Sequence, residues 1–287
     1  MSFVAPTGPN SQERRAGSVN LGGDMRFVTN ANAEGMSPPA TLSGKNVVVI
    51  GGSRGLGRVI LETVHAEGAR VLAVGRGRKS LADATRNLEG SATLAVDATD
   101  DRAWAQVFDA LNPDILVVCA GAIPPTKPLH EQTWSEFSIN WETDVKASFQ
   151  FCKAALGMPL RPGAMVILIS SGAAIGGSPI SGGYAGAKRM QMFLANYCQK
   201  ESDRLGLGLR FVAIAPACIM PDTDVGKAAV SGYSRYLGLS AAEFIQGMRA
   251  RQTPQDVASA IVKFANRCNT QPGNTFMVSA KGVEPGP

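Results

Sequence analysis

The chain has 287 residues, of which 45% are hydrophobic, and it carries a formal net charge of +5 with a pI near 9.0. This length can bury one substantial core, so a single α/β domain is the default expectation. The basic residues are scattered, without a run interleaved with aromatics, which argues against a nucleic-acid-binding module. Apolar runs long enough to cross a membrane are also missing from the sequence.

Residues 1–42 are rich in Gly, Asn, Ser and Pro, and their charges cancel. This composition predicts a flexible N-terminal extension, followed by one domain over residues 43–287. The segment lacks the charged start and apolar core of a secretory signal. A mitochondrial transit peptide is the alternative, but such peptides avoid acidic residues and three occur here.

The cysteines and histidines do not form a metal-binding pattern. The five cysteines are far apart without a CxxC pair, and no close carboxylate cluster surrounds His65 or His130. This spacing is typical neither of a disulfide framework nor of a zinc site. We therefore expect no metal, and we expect reduced cysteines in a cytoplasmic protein.

From Lys45 onward, short apolar runs alternate with helical patterns. Seven runs are typical of strands: NVVVI, ARVLAV, ATLAV, DILVVCA, AMVILIS, LRFVAIA and NTFMVS. Stretches between them are periodic enough for helices, including 56–65, 80–88, 101–111 and 184–204. The alternation predicts a single Rossmann-type, doubly wound α/β domain with a seven-stranded parallel sheet and helices on both faces.

The first predicted strand leads directly into the turn GGSRGLG and then into a helical pattern. In nucleotide-binding folds such a turn places a helix N-terminus against a pyrophosphate. Gly51 can turn sharply, Gly55 lets the backbone approach a phosphate, and Gly57 lets helix and strand pack closely. The predicted cofactor-binding residues of this turn are Gly51, Ser53, Arg54, Gly55, Leu56 and Gly57.

The end of the second predicted strand indicates which dinucleotide binds. An NAD-binding domain places an acidic residue there to bind the ribose 2′-hydroxyl, whereas this sequence has Arg76. Arg54, inside the glycine turn, can reach the same region. Two guanidinium groups would bind a 2′-phosphate through charge-assisted hydrogen bonds, so we expect NADP(H).

Tyr184 and Lys188 are spaced i, i+4, so on a helix they lie on one face. Ser171 follows the fifth predicted strand, and ligands of open parallel sheets bind at the carboxyl ends of strands. A free phenol has a pKa of about 10, and a nearby ammonium favours its ionised form. These residues therefore predict proton exchange by Tyr184, assisted by Lys188, with Ser171 bound to the same substrate oxygen.

A long segment, residues 216–252, follows the sixth predicted strand and predicts a small lid with a short helical pair. Its apolar side chains suggest a medium-sized, partly apolar substrate, although packing of these side chains on their own domain explains them equally well. They are Met220, Tyr233, Tyr236, Phe244 and Met248.

These motifs together resemble the short-chain dehydrogenase/reductase family, from about residue 43 to residue 282. The resemblance includes CAG at 119–121, YAGAK at 184–188 and APACI at 215–219. It implies proton transfer by Tyr184, ribose binding and phenol activation by Lys188, substrate binding by Ser171, and a homodimer or homotetramer. It also implies further cofactor contacts at Asp97, Ala98, Ala120, Gly121 and Ile219.

One departure from the family pattern concerns the proton supply. The family's fourth catalytic residue is an asparagine that holds a relay water, and counting back from Ser171 places it at Asp144. Asn140 lies one turn earlier on the same helical face, so both positions stay open. A carboxylate can also hold a water, but its charge opposes ionisation of the phenol.

The predicted activity is NADP(H)-dependent transfer of hydride to or from a carbonyl or secondary alcohol, with ketone reduction favoured. One alternative is a reductase of carrier-bound 3-oxoacyl thioesters. Its acidic carrier would contact Lys227, Arg235, Arg249 and Arg251. The other alternative is an NADP(H)-binding sensor or scaffold without turnover.

Overall fold

A computed structural model of the chain describes residues 41–248, 251–266 and 273–287. Most of the predicted extension, residues 1–40, lies outside the described residues, as do Arg249 and Cys268. Leu42 is fully buried in the core, and its backbone N–H donates to the Glu67 carbonyl at 2.8 Å. The structured chain therefore includes the residue immediately before the predicted domain boundary.

The seven predicted apolar runs all form strands. Their bounds are β1 Asn46–Ile50, β2 Arg70–Gly75, β3 Ala92–Ala95, β4 Ile115–Val118, β5 Met165–Ile169, β6 Arg210–Pro216 and β7 Thr275–Ser279. These seven strands are parallel and lie in the order β3-β2-β1-β4-β5-β6-β7. The Rossmann-type α/β architecture is confirmed.

The predicted number of strands was wrong, because the described sheet has eight. The additional strand, β8 (Gly282–Pro285), pairs antiparallel with β7 at the sheet edge. Only Ala280 and Lys281 separate the two strands, and a parallel return would need a crossover of about a dozen residues. A hairpin is therefore the connection that this short turn allows.

Helices connect the strands across both faces of the sheet. In the described chain they are α1 Gly55–Ala66, α2 Arg78–Thr85, α3 Ala103–Ala110, α4 Trp134–Asn140, α5 Lys146–Gly157, α6 Ala173–Gly176, α7 Gly182–Leu205, α8 Asp224–Leu237, α9 Ala241–Gly247 and α10 Pro254–Ala265. The four predicted helices differ from α1, α2, α3 and α7 by one to three residues at their ends. No helix in the described ranges has the length and apolarity needed to cross a membrane.

The core consists of two apolar layers, one on each face of the sheet. In β1, Val48 and Ile50 pack into one layer, whereas Val47 and Val49 pack into the other. Strands covered on both faces need apolar residues at every position, which explains why the central strands have continuous apolar sequences. Since β1 lies between β2 and β4, the chain reverses its direction across the sheet at the carboxyl end of β1.

The segment between β4 and β5 contains a helix with one irregular turn. After α4, residues Trp141–Val145 form a π-helical turn that continues directly into α5. A π turn bonds residue i to residue i+5, so it inserts an extra residue into the helix and rotates the following side chains. Asn140 and Asp144 lie at the start and within this turn, respectively.

Candidate active site

The glycine turn after β1 brings α1 close to the sheet. Gly51 has a φ of +88°, and a Cβ on it would lie 2.7 Å from the backbone nitrogen of Ala120. A Cβ on Gly57 would collide with the Gly51 carbonyl oxygen. Both positions therefore require glycine, for the sharp turn and for close helix packing as predicted.

The N-terminus of α1 is suited to bind a pyrophosphate. Among the described residues, no side chain caps its first turn, where the N-cap is Arg54 and no acidic residue is present. The first backbone N–H groups of a helix without a side-chain cap are available to an anion, which the helix dipole also favours. A Cβ added to Gly55 would have its nearest neighbour at 4.0 Å, so the turn is open to a ligand. The turn fits a dinucleotide.

The two arginines predicted to bind a 2′-phosphate are both next to carboxylates. The Arg54 guanidinium lies 3.0 Å from Asp224 at the start of α8, and that of Arg76 lies 4.0 Å from Asp97. These side chains are largely exposed, so each ion pair is weak and can exchange partners. Both acids lie far from the two arginines in the sequence, since Asp97 follows β3 and Asp224 is the first residue of α8.

Asp97 lies in the segment between β3 and α3. Its carboxylate accepts hydrogen bonds from the Thr99 backbone N–H at 3.0 Å and from the Thr99 hydroxyl at 2.8 Å. The backbone hydrogen bond from Thr99 is the largest cause that holds the pKa of Asp97 below its usual value. Asp97 is therefore an ionised, oriented acceptor beside the buried Ala98.

Two hydrogen bonds connect the carboxyl end of β5 to Lys188 in the N-terminal part of α7. The Ser170 hydroxyl donates to the Lys188 carbonyl at 2.7 Å, and the Lys188 ammonium donates to the Ile169 carbonyl at 2.9 Å. Ser171 follows directly, and its hydroxyl oxygen accepts a hydrogen bond from the Ala173 N–H at 3.2 Å. The helix α6 that begins at Ala173 packs against α7, which carries Tyr184.

Tyr184 and Lys188 share one face of α7, as their spacing predicts. The ammonium nitrogen lies 5.5 Å from the centroid of the Tyr184 ring. Lys188 is buried, whereas Tyr184 is half-buried and lies in the first turn of the helix. The tyrosine is therefore partly accessible to solvent, whereas the lysine is enclosed by the protein.

The Lys188 ammonium is surrounded by three acceptors among the described residues. They are the Asp144 carboxylate at 3.0 Å, the Gln191 side-chain carbonyl at 3.0 Å and the Ile169 backbone carbonyl at 2.9 Å. Burial lowers the pKa of Lys188, but Asp144, Tyr184 and Cys119 raise it, and the net shift is above its usual value. Lys188 is therefore held in its charged form.

The Asp144 carboxylate contacts Lys188 through Oδ2, and three hydrogen bonds hold its second oxygen, Oδ1. Its Oδ1 accepts hydrogen bonds from the Ala122 N–H at 2.9 Å, the Asn140 amide at 3.1 Å and the Thr143 hydroxyl at 2.8 Å. A Cβ on Gly121 would lie 2.6 Å from Asp144 Oδ2, so the glycine of the CAG motif makes room for this carboxylate.

The structure places both Asn140 and Asp144 in this site. Asp144 contacts Lys188 directly, whereas Asn140 donates to Asp144 and to the Ala122 carbonyl at 2.9 Å. The Asn140 side-chain oxygen is buried without a hydrogen-bond partner among the described residues. Because the two residues are spaced i, i+4, both predicted alternatives lie in one cluster, and the extra residue of the π turn explains the uncertain register.

Cys119 is the first residue of the CAG motif and directly follows β4. Burial raises the pKa of its thiol to about 11; the nearby Lys188 charge opposes this shift, and Asp144 adds a smaller contribution in the same direction as burial. The thiol is therefore neutral at physiological pH and is not an activated nucleophile.

The two helices after β6 contribute aromatic residues near this edge. The Tyr233 ring stacks on Phe244 with centroids 5.6 Å apart, and its hydroxyl lies 2.8 Å from the Ser178 hydroxyl in the segment before α7. Tyr236 is instead half exposed, so only part of the predicted apolar set packs together. Ile219 is half-buried in the loop between β6 and α8.

Sequence reasoning missed two residues of the site. Gln191 is one turn after Lys188 on the same helical face, and that spacing was the available signal. Asp224 pairs with Arg54 across 170 positions of sequence, and no local pattern predicts such a contact. The described residues contain no cluster of three or more His, Cys, Asp or Glu side chains able to hold a metal ion.

Comparison with known families identifies the class of protein. A family model described as short chain dehydrogenase matches residues 45–234, which is more than half of the chain. The chain belongs to this family of oxidoreductases, whose members use nicotinamide cofactors and act on CH–OH or C=O groups.

Individual relatives share a third of their aligned residues or fewer with this chain. L-xylulose reductase from Bos taurus is 30% identical over 196 residues, which cover 66% of this chain and 77% of that protein. L-xylulose reductase from Homo sapiens is 33% identical over 128 residues, covering 44% of this chain and 52% of that protein. A solved short-chain dehydrogenase/reductase of the glucose/ribitol dehydrogenase type from Brucella melitensis has a TM-score of 0.69 at 21% identity, covering 83% and 95% of the two chains. At that identity the solved structure shows the fold alone.

Proposed function

We propose that this protein is an NADP(H)-dependent reductase of ketones or aldehydes, with Ser171, Tyr184 and Lys188 as its catalytic residues. The observation that carries the proposal is the charged, buried Lys188 ammonium 5.5 Å from the Tyr184 ring centroid, at the carboxyl end of β5. Membership of the short-chain dehydrogenase family supplies the frame in which this pair acts.

The chemistry assigned to the residues is proton transfer. Tyr184 donates a proton to the carbonyl oxygen in reduction and accepts it in oxidation, while Ser171 donates a hydrogen bond to the same oxygen and stabilises its developing charge. A bound nicotinamide supplies the hydride. The positive charge of Lys188 lies close to the Tyr184 ring and favours the ionised form of the phenol.

We propose NADP(H) as the cofactor. Its pyrophosphate would lie at the N-terminus of α1, and its 2′-phosphate would bind Arg54 and Arg76 in place of their present carboxylate partners. The remaining contacts in the glycine turn are Gly51, Ser53, Gly55, Leu56 and Gly57. The remaining contacts elsewhere are Asp97, Ala98, Ala120, Gly121, Tyr184, Lys188 and Ile219.

We propose a medium-sized, partly apolar carbonyl substrate and a lid formed by α8 and α9. The stacked Tyr233 and Phe244 support apolar contacts, and the hydrogen bond to Ser178 supports closure of this segment on the site. The similarity to L-xylulose reductases supports reduction of a ketone, and it is the reason to include a ketopentose among the substrates tested.

We further propose a cytoplasmic homodimer or homotetramer. Exposed aromatic side chains on α5 and α7 support association, because apolar patches of this kind mark interaction surfaces. Phe149, Phe193 and Tyr197 are each about half exposed or more, and Phe193 stacks on Tyr197 with centroids 6.0 Å apart.

The proposed activity is tested by mixing purified protein with NADPH or NADH and a panel of carbonyl compounds. The panel contains a ketopentose, an apolar cyclic ketone and a 3-oxoacyl thioester, and loss of reduced-cofactor absorbance is followed. We expect turnover with NADPH and a ketone. Turnover confined to the thioester would favour the carrier-dependent alternative, and tight NADPH binding without turnover would favour a sensor.

Cofactor choice is tested separately with Arg54→Gln. We expect the preference for NADPH over NADH, measured as the ratio of kcat/KM values, to fall about tenfold or more, since a charge-assisted pair is worth about 1.5–3 kcal/mol. Arg58→Gln is the matched control, because Arg58 lies one turn later and pairs with Glu62 on the α1 surface at 2.7 Å. Equal use of both cofactors by the unmodified protein would contradict the assignment.

A further inference from the structure

The hydrogen-bonding capacity of Lys188 is fully used within the described chain. An ammonium group has three N–H donors, and three acceptors lie within 3.0 Å: Asp144, Gln191 and Ile169. No donor is left over for the phenol of Tyr184 or for a ribose hydroxyl. Either role requires Lys188 to exchange one of these partners.

The partners of Lys188 are themselves fixed by a buried network. The Gln191 amide donates to the Ser148 hydroxyl at 2.8 Å, and that hydroxyl donates to the Asp144 backbone carbonyl at 2.7 Å. Asp144, Ser148 and Gln191 are each essentially inaccessible to solvent. A network of this kind holds its geometry, since leaving any member unpaired in the interior is costly.

The charge of Asp144 distinguishes this network from one built on a neutral amide. Asp144 Oδ2 lies 3.0 Å from the Lys188 nitrogen, and both groups are buried, where water screens their interaction poorly. Tyr184 therefore lies beside a compensated ion pair and not beside an isolated cation.

We infer that Asp144 is a positioning residue which neutralises Lys188 and so keeps the Tyr184 phenol protonated to higher pH, biasing the site toward donating a proton to a carbonyl. This inference rests on the proposed function. It assigns Asp144 a role through Lys188, without contact to substrate.

The titratable groups around Lys188 come from three elements. Asp144 belongs to the π turn, Cys119 follows β4, and Tyr184 shares α7 with the lysine. Since burial raises the pKa of the Cys119 thiol to about 11, the Asp144 carboxylate, 3.0 Å from the ammonium, is the acidic group that faces Lys188. Gln191 and Ile169 offer neutral acceptors and leave the charge balance unchanged.

The test is Asp144→Asn, which keeps the shape of the side chain and removes its charge. Without the carboxylate, the Lys188 charge is uncompensated and favours the phenolate, so Tyr184 should ionise at lower pH. We expect the ionisation midpoint to fall by about one pH unit or more, in line with the effect of one close charge. Glu142→Gln is the matched control, because Glu142 is an exposed carboxylate in the same π turn.

The primary measurement does not depend on turnover. Tyrosinate absorbance is titrated in each protein and in its Tyr184→Phe counterpart, and the difference gives the Tyr184 midpoint. The pH profiles of kcat/KM provide the second measurement. Carbonyl reduction should decline above the Tyr184 midpoint and alcohol oxidation should decline below it. In Asp144→Asn, the declining limbs of both profiles should move together to lower pH. A merely structural role would lower both rates without moving the limbs.

A second variant, Gln191→Glu, covers the case in which Asp144→Asn does not fold. It places another carboxylate against Lys188 and should raise the midpoint. Coinciding midpoints for the unmodified protein and a folded Asp144→Asn or Gln191→Glu variant would overturn the inference. Absence of NADPH-dependent turnover in the unmodified protein would instead contradict the proposed function, while the absorbance titration would still decide the role of Asp144.

Discussion

Arg54 connects the glycine turn after β1 to the segment after β6 through an ion pair. Its guanidinium pairs with Asp224 at 3.0 Å, and both side chains are substantially exposed. A bound 2′-phosphate would compete with Asp224 for the same donors, since both are anionic acceptors of guanidinium hydrogen bonds. Asp224 therefore weakens the cofactor contact that Arg54 is proposed to make.

This competition predicts that Asp224→Asn tightens NADPH binding by about two- to fivefold, the range expected when an exposed ion pair is lost. NADH affinity should stay the same, because NADH has no 2′-phosphate. Fluorescence titration with each cofactor measures both affinities. Asp222→Asn removes a neighbouring carboxylate and serves as the control. Equal tightening for NADH would show that Asp224 acts on the lid or the fold and not on Arg54.

The sequence predicted residues of the site unevenly. The helical spacing of Tyr184 and Lys188 and the position of Ser171 after a strand are local features, and the structure places them as expected. In contrast, the choice between Asn140 and Asp144 depended on the register of a π turn, and the carboxylate that pairs with Arg54 lies on a distant helix, α8. Neither has a local sequence signal, because each depends on how separate elements pack.

At the scale of elements, the close approach of α7 to α4 positions Tyr184. A Cβ on Gly183 would collide with the Phe137 carbonyl, and the Gly183 carbonyl accepts a hydrogen bond from the Trp141 indole at 3.1 Å. The residue next to the tyrosine is therefore a packing point between the helices.

We predict that Gly183→Ala destabilises the protein by about 1–3 kcal/mol, the usual cost of an added methyl in a packed contact. Thermal unfolding should show a Tm lower by several degrees, and activity should fall because Tyr184 moves with α7. Gly157→Ala, at the end of α5, is the control, since a Cβ there has no neighbour within 4 Å. A Gly183→Ala variant as stable as Gly157→Ala would contradict the packing argument.

The sheet shows what patterning can and cannot predict. Continuous apolar runs identified β1 through β7, because strands covered on both faces need apolar side chains throughout. The edge strand β8 has the sequence GVEP, which is short, contains proline and is exposed at its end, so periodicity does not detect it. Its pairing follows from the short turn after β7.

For the whole molecule, the aromatic surface of α5 and α7 predicts association. Phe193→Asp should shift the protein toward a smaller species, because a charge at a buried apolar contact is costly to desolvate. Light scattering after size-exclusion chromatography measures the mass. Leu237→Asp is the control, since Leu237 is similarly exposed on a different helix, α8. An unchanged mass for Phe193→Asp would indicate a different interface or a monomer.

The central claim is that the chain transfers hydride from NADPH to a carbonyl carbon while Tyr184 supplies the proton. The most direct measurement mixes the protein with a ketone and NADPH deuterated at the transferring position of the nicotinamide, and follows deuterium in the alcohol by mass spectrometry. We expect deuterium on the carbinol carbon, and transfer slower by about 100-fold or more in Tyr184→Phe at saturating NADPH. Absence of deuterium from every alcohol, or transfer at the unmodified rate by Tyr184→Phe, would contradict this claim.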